Sequence, residues 1–373
     1  MSGLDVDAML VELRGWVGIE SPTSDTPGVN RMIDAVAAAV AGLPIGVQRH
    51  AGRNGLGDTL ELSAGPRTGS PGLLLLSHVD TVHPLGTLAA DLPMRIEGDR
   101  FYGPGIYDMK GGAFLALAAV RRAVAANALK RPITFLFTPD EEIGSPTSRD
   151  IIEAKALTAS HVLVTEPARD GGKVVTGRKG VARFDVHIEG RPSHAGSRHP
   201  DGRSAIREAA HQILAIEAMT DYARQITTTV GQVSGGTAAN VIPQHARFAV
   251  DLRVATLEDG EDLCARICSL QPVGPDVRMT VTGGMNRPPY AKTPTVAALF
   301  ETARALAAPL GIDLQDVPLT GGGSDGNFTA ALGVPTLDGL GIDGDGAHTL
   351  QEHALVSSLA PRSRLIEALI RTL

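Results

Sequence analysis

The chain has 373 residues, 43% of them apolar and 20% charged, with a formal charge of −7. That length suits two domains or three, and that apolar share supports buried cores rather than a disordered chain. An acidic balance with no basic tract argues against a nucleic-acid or anionic-membrane partner. Two cysteines exclude a disulfide scaffold and a four-thiolate zinc site. Aromatic residues are only 3%, too few for base-stacking platforms. Chemistry, if there is any, falls to His, Asp and Glu.

The first residues are acidic where a secretory leader would be basic. The longest apolar stretch, 35–47, is broken by Gly42 and Pro44 and is too short for a membrane helix. A cytoplasmic protein is expected. The periodicity predicts helices over Asp5–Ile19 and Val29–Ala41, then a buried strand Gly72–Leu76 ending in SHVD. A helix over Ala113–Leu129 follows, then a strand Pro132–Phe137 ending in TPDEE. Next come a helix Arg149–Ala156 and a strand His161–Val164 ending in TEP. Alternating strands and helices predict an α/β domain, a mostly parallel sheet with helices on both faces.

The middle of the chain changes character. Strands are predicted over Val181–Glu189, Ile226–Val233, Ala246–Val254 and Arg278–Thr282, with helices Ser204–Met219 and Glu258–Leu270. This pattern suits a smaller α+β sandwich on an antiparallel sheet. Cys264 and Cys268, four apart on the second of these helices, read as small core residues. Helix and buried-strand patterning returns in Thr295–Leu310, Val334–Leu340 and Ala360–Leu373. The expected organisation is a discontinuous domain, residues 1–176 and 287–373, interrupted by an inserted one at 177–286.

The acids gather where the buried strands end. His78 and Asp80, Asp140 with Glu141 and Glu142, and Glu166 each follow a strand, and Asp108 lies in the Gly-rich loop GPGIYDMKGG. In open α/β sheets the carboxyl ends of strands are where ligands bind. Residues i and i+2 on a strand share a side, so His78 and Asp80 could share a site, while Glu141 and Glu142 would point different ways. So many carboxylates in one cleft repel one another unless a cation neutralises them. His348, in GDGAHTLQEH, supplies a second nitrogen. Two His with several carboxylates and no thiolate is a ligand set for zinc, cobalt or manganese hydrolases. A pair of metals needs a bridging carboxylate, which Asp108 could provide. A nucleotide-binding turn is disfavoured, because GPGIYD has Asp108 where the third Gly belongs.

The stretches SHVDTV, GPGIYDMKGG, TPDEEIGS, VTEP, RPSHAGSRHPDGRSAI, GGTAANVIP, VDLRV, TGGGSDG and AHTLQE resemble, in order, the two-zinc aminoacylase and carboxypeptidase family. TPDEEIGSPTSRDI and LTGGGSDG look most like its glutamate carboxypeptidase branch. The resemblance implies that His78 and Glu166 bind one metal, Glu142 and His348 the other, and that Asp108 bridges them. Asp80 would accept the second ring N–H of His78. Glu141 would be the general base, and His194 the oxyanion donor, reaching across from the partner subunit in dimeric members. Arg253 would grip a substrate carboxylate, unless it is spent on a salt bridge with Asp251. Asn240, Gly322 and Gly323 would contact substrate, with Arg178 and Lys179 as further cations for a carboxylate.

The implied activity is amide hydrolysis next to a carboxylate-bearing amino acid. Its cofactors would be two divalent ions, zinc first, with cobalt or manganese as alternatives. The partners would be a small carboxylate substrate and a second copy of the chain, bound through the inserted domain. Deacylation of N-acyl amino acids and a non-catalytic binding protein on the same fold are the alternatives. His353 has no role in this reading. His50, His83, His161, His187, His199, His211 and His245 have no motif support and are expected to be structural or exposed.

Overall fold

Four consecutive leucines, Leu73 to Leu76, form the centre of the larger unit, and each is buried. Leu73 and Leu75 face one apolar cluster with Trp16, Val120, Phe114 and Leu369; Leu74 and Leu76 face another with Leu136, Ile152, Val162 and Phe328. A strand covered on both faces needs no polar alternation, so the run is continuous. The computed structural model describes residues 4–66 and 69–373.

By sheet order the strands run Gly46–His50, Thr59–Ala64, Ile133–Thr138, Gly72–His78, Ala159–Val164 and Thr336–Leu337. The last four are mutually parallel; Thr59–Ala64 runs against Ile133–Thr138, and Gly46–His50 against Thr59–Ala64. The sheet is therefore mixed and mostly parallel. The first two strands are absent from the sequence reading. Gly46–His50 is a polar edge strand with exposed residues, and Thr59–Ala64 buries Glu61, so neither shows a clean apolar pattern. The helix Gly111–Ala125 is buried along most of its length and packs on Leu359–Thr372. Helix starts follow local chemistry: Asp5 caps Val6–Val17 by accepting from the Ala8 N–H, and Asp25 caps Thr26–Ala39.

The expected strand Val334–Leu340 shrinks to Thr336–Leu337. Asp338 exchanges its backbone hydrogen bonds with Val175 instead, which interrupts the pairing before the Leu340 N–H returns to the Val164 carbonyl.

The chain splits into two compact units: 4–177, 292–320 and 324–373 form one, and 178–291 with 321–323 form the other. The second unit carries a four-stranded antiparallel sheet in the order Thr227–Gly235, His245–Val254, Gly180–Glu189, Arg278–Arg287. Phe184, Val186, Ile188, Phe248, Val250 and Leu252 turn to one face and bury against the helices Ala205–Glu217 and Leu257–Cys268. Strict alternation puts Arg183, Asp185, His187, Arg247 and Asp251 on the other face. The strand Arg278–Arg287 runs past the expected end at Thr282. Gly283 and Gly284 carry it on against Phe184 and Arg183; Gly283 sits at φ 121°, where an added Cβ would lie 2.1 Å from the Arg183 carbonyl oxygen. Cys264 is partly buried against this core, whereas Cys268 is exposed rather than internal.

No helix among the described residues is long and apolar enough to cross a membrane. Because Leu75 is fully buried between layers, Leu75→Ala should cost about 2–5 kcal/mol of stability in urea unfolding; a loss well under 1 kcal/mol would mean this strand is not the packed centre.

Candidate metal centre and active site

The parallel strands deliver their acids to one edge of the sheet. His78 ends its strand, Glu141 and Glu142 open a short turn after Ile133–Thr138, and Glu166 follows Ala159–Val164. Asp108 arrives on the loop before the helix Gly111–Ala125. That loop is shaped by glycines. Gly105 takes φ 72°, and an added Cβ on Gly112 would fall 2.0 Å from the Thr165 carbonyl oxygen. The Asp108–Met109 peptide is cis.

The Asp108 carboxylate lies between the two histidines. Its Oδ1 is 3.2 Å from His78 Nε2, and its Oδ2 is 3.1 Å from His348 Nε2. Glu166 Oε1 stands 3.7 Å from His78 Nε2, and Glu142 Oε2 stands 3.3 Å from His348 Nε2. Potential ligand atoms converge in two groups, His78 with Asp108 and Glu142, and His78 with Glu141 and Glu166. Glu141 thus reaches the same space as the expected ligands.

The electrostatics are those of a site built for cations. Burial works to raise the Asp108 carboxyl, but His348 and His78 hold it well below the usual carboxylate range. Burial pushes Glu142 up to about 8, with Asp108 and Glu141 adding repulsion. Hydrogen bonds to Asp108 and Glu142 lift His348 to about 10. Burial opposes protonation of His78, yet Asp108, Asp80 and Glu166 raise it well above the ordinary imidazole value. Glu142 Oε1 is buried with no hydrogen-bond partner among the described residues. Crowded carboxylates facing two imidazoles, with Glu142 Oε1 lacking a hydrogen-bond partner among the described residues, fit divalent cations bound by oxygen and imidazole nitrogen.

Asp80 is fully buried and supports two elements. Its Oδ1 and Oδ2 accept from the Glu141 and Glu142 N–H groups, both at 3.2 Å, and Oδ2 also accepts from Thr23 at 2.7 Å. The nearest oxygen to His78 Nδ1 is the Asp80 backbone carbonyl at 3.0 Å, with the carboxylate at 3.3 Å. The second ring N–H is therefore shared, not held by the carboxylate alone. Asp140, grouped with the site acids by sequence, faces away; it accepts from the Thr147 N–H and from the Thr147 and Ser148 hydroxyls. The hydroxyl-rich run after TPDEE was the signal for that role.

The remaining candidates belong to the second unit. His194 is exposed, and its Nδ1 accepts from the N–H groups of Gly196 and Ser197 at 3.1 and 3.2 Å. With Nδ1 an acceptor, Nε2 carries the proton and is a donor. A short ribbon pairs Ser193–His194 with Val241–Ile242, and the Asn240 carbonyl accepts from the Ala195 N–H. Arg253 forms a fork on Asp251, at 2.6 and 2.9 Å, and donates to the Gly321 carbonyl. Arg178 is fully buried and donates to the Gly322 and Gly323 carbonyls. Gly323 is small because Arg287 and Val181 pack on it: an added Cβ would meet Arg287 Cδ at 2.7 Å. Burial, then the neighbouring Arg253, lowers the Lys179 ammonium below its ordinary value.

Residues 74–372 match the profile of peptidase family M20/M25/M40. This chain belongs to that family. It is a metallo-hydrolase of the carboxypeptidase G2-like kind: it is 33% identical to carboxypeptidase G2 of Pseudomonas sp. (strain RS-16), over 95% of this chain and 86% of the relative. It is also 29% identical to a succinyl-diaminopimelate desuccinylase of Caulobacter vibrioides, over 84% of each chain. Its fold matches an M20 family metallo-carboxypeptidase from Sulfolobus solfataricus with a TM-score of 0.77 at 17% identity, covering 97% of this chain and 98% of that one.

If Glu142 and His348 hold a cation, its binding expels their protons. Both are raised, to about 8 and about 10, so both are largely protonated at neutral pH without metal. Apparent affinity for Zn²⁺ should therefore climb as pH rises from about 6 to 9, with net proton release. Titration calorimetry in buffers of different ionisation enthalpy measures this; heats that do not vary with buffer would contradict it.

Proposed function

We propose that this chain hydrolyses the amide bond to a carboxylate-bearing amino acid, in the manner of a carboxypeptidase. The observation that carries this reading is Asp108, whose two oxygens each face a different histidine with a further carboxylate beyond. His78 and Glu166 would hold one divalent ion, Glu142 and His348 a second, and Asp108 both. Zinc suits these donors, with cobalt or manganese as alternatives. Such ions supply Lewis acidity that acidifies water and polarises a carbonyl.

Glu141 takes the proton of the attacking water and returns it to the leaving amine. Asp80, through its hydrogen bonds to the Glu141 and Glu142 N–H groups, keeps that base in place. His194 Nε2–H donates to the oxyanion as it develops. Arg253 and Lys179, two cations close enough for one to depress the other, bind the substrate carboxylate, which displaces Asp251 from the Arg253 fork. Asn240 lies on the ribbon that carries His194 and would support the substrate beside it, with Gly322 and Gly323 of the glycine loop on the Arg253 side.

A homodimer through the inserted unit would bring His194 from the partner subunit. It is supported by the edge position of Thr227–Gly235 in its sheet and by exposed Ile206, Leu214 and Val233 in the same unit. A deacylase of N-acyl amino acids is the second reading, favoured by the similarity to a desuccinylase over most of the chain.

A panel of dipeptides, aroyl-glutamates and N-acyl amino acids with Zn²⁺ added tests the reaction. Turnover of peptides and aroyl-glutamates is expected; turnover of N-acyl amino acids alone would favour the deacylase. Glu141→Ala should lower kcat by about 10²–10⁴-fold while two metals remain bound; near-normal kcat would remove Glu141 as the base. His194→Ala should lower kcat by about 10²–10³-fold, and mixing it with a metal-ligand variant should restore activity through hybrid dimers. No recovery despite subunit exchange would place His194 in its own subunit's site or outside the chemistry.

A further inference from the structure

Glu352 lies four residues beyond His348 and is 1% exposed. Its carboxylate is the meeting point of three segments. Oε1 accepts from the N–H groups of Tyr107 and Asp108, both at 2.9 Å. Oε2 accepts from the Gly105 N–H at 2.9 Å and from His83 Nε2 at 2.7 Å. The turn Ile106–Lys110 has no side-chain cap of its own, so its inward N–H groups rely on this distant acid. The topology accounts for the placement: His353–Leu355 pairs antiparallel with Arg100–Tyr102, and His353 lies opposite Tyr102, which sets Glu352 beside the start of the Asp108 loop. His83 sits five residues beyond His78 on the same segment. One carboxylate therefore ties together the stretches that deliver His78, Asp108 and His348.

We propose that Glu352, with His83 as its fourth donor, is a positioning residue of the metal centre. It fixes how far Asp108 stands from the two histidines, and so sets metal affinity without touching substrate. The inference rests on the reading of those three residues as metal ligands. Its physical basis is valence. A carboxylate can accept all four hydrogen bonds, whereas the isosteric amide accepts on one oxygen only and turns its NH₂ toward donors on the other. In either orientation of a glutamine, N–H groups of the Asp108 loop or the His83 donor face another donor. Residues behind a metal site commonly change affinity by about 10–100-fold when altered.

The experiment compares the full-length wild type, Glu352→Gln and His83→Gln, each stripped of metal and titrated with Co²⁺. Calorimetry reads affinity and stoichiometry, and the visible spectrum of bound Co²⁺ reads ligand geometry. Far-UV circular dichroism and a melt of the metal-free proteins establish folding. Glu352→Gln is expected to weaken Co²⁺ binding about 10–100-fold and alter the visible spectrum. At saturating metal it should lower kcat with little change in KM. His83→Gln should shift affinity the same way by less, since the three backbone donors stay paired. Wild-type affinity and spectrum in Glu352→Gln would overturn the proposal, even if its melting temperature fell, because the residue would then be structural only. If Glu352→Gln does not fold, His83→Gln decides on the same readouts. A wild type that binds no Co²⁺ would instead overturn the metal-ligand reading itself.

Discussion

Carboxylates crowded at the end of one sheet repel each other, and the structure is arranged around that repulsion. Asp108, Glu142 and Glu166 stand within reach of two imidazoles in a largely buried pocket. Without a compensating charge this is an unfavourable arrangement, and it shows in Glu142, pushed up to about 8, and in His348, pushed to about 10. Hydrogen bonds from His78 and His348 offset part of that repulsion, and the divalent ions proposed above would offset the rest.

The supporting residues follow the same logic. Asp80, Asp140 and Glu352 are all buried acids, and the hydrogen bonds they receive come from hydroxyls, backbone N–H groups and imidazoles. Each therefore holds a loop in place through directed bonds. Asp80 secures the Glu141–Glu142 turn, Asp140 the stretch after it, and Glu352 the loop of Asp108. Asp108, Glu141 and Glu142 stand on loops, and those loops are anchored by Asp80 and Glu352, which is what a reactive geometry requires.

The two units differ in the chemistry they carry. The larger one gathers carboxylates and imidazoles at a parallel sheet edge. The smaller one offers donors and cations: His194 as an Nε2–H donor, and Arg253, Lys179 and Arg178 around the glycine loop. Its sheet is apolar toward its helices and charged on the opposite face, so a single alternating pattern serves both core and surface.

The sequence by itself determined the class of fold, most of the helices and buried strands, and the residue types at the strand ends. These follow from local periodicity and from which side chain comes next in the chain. Tertiary structure alone decided which acids face the centre and which stand behind it. Asp140 and Glu142 are two residues apart and look alike in sequence, yet one is consumed by Thr147 and Ser148 while the other meets His348. The role of Glu352 depends on backbone donors some 245 positions away, and that of His83 on an acid 269 positions away. Arg253 was chemically suited to a carboxylate, but only the register of its strand and the glycine loop show that Asp251 and the Gly321 carbonyl hold it in the resting chain. Hydrogen bonds across such separations are set by how the sheet folds back on itself, and no local pattern encodes them.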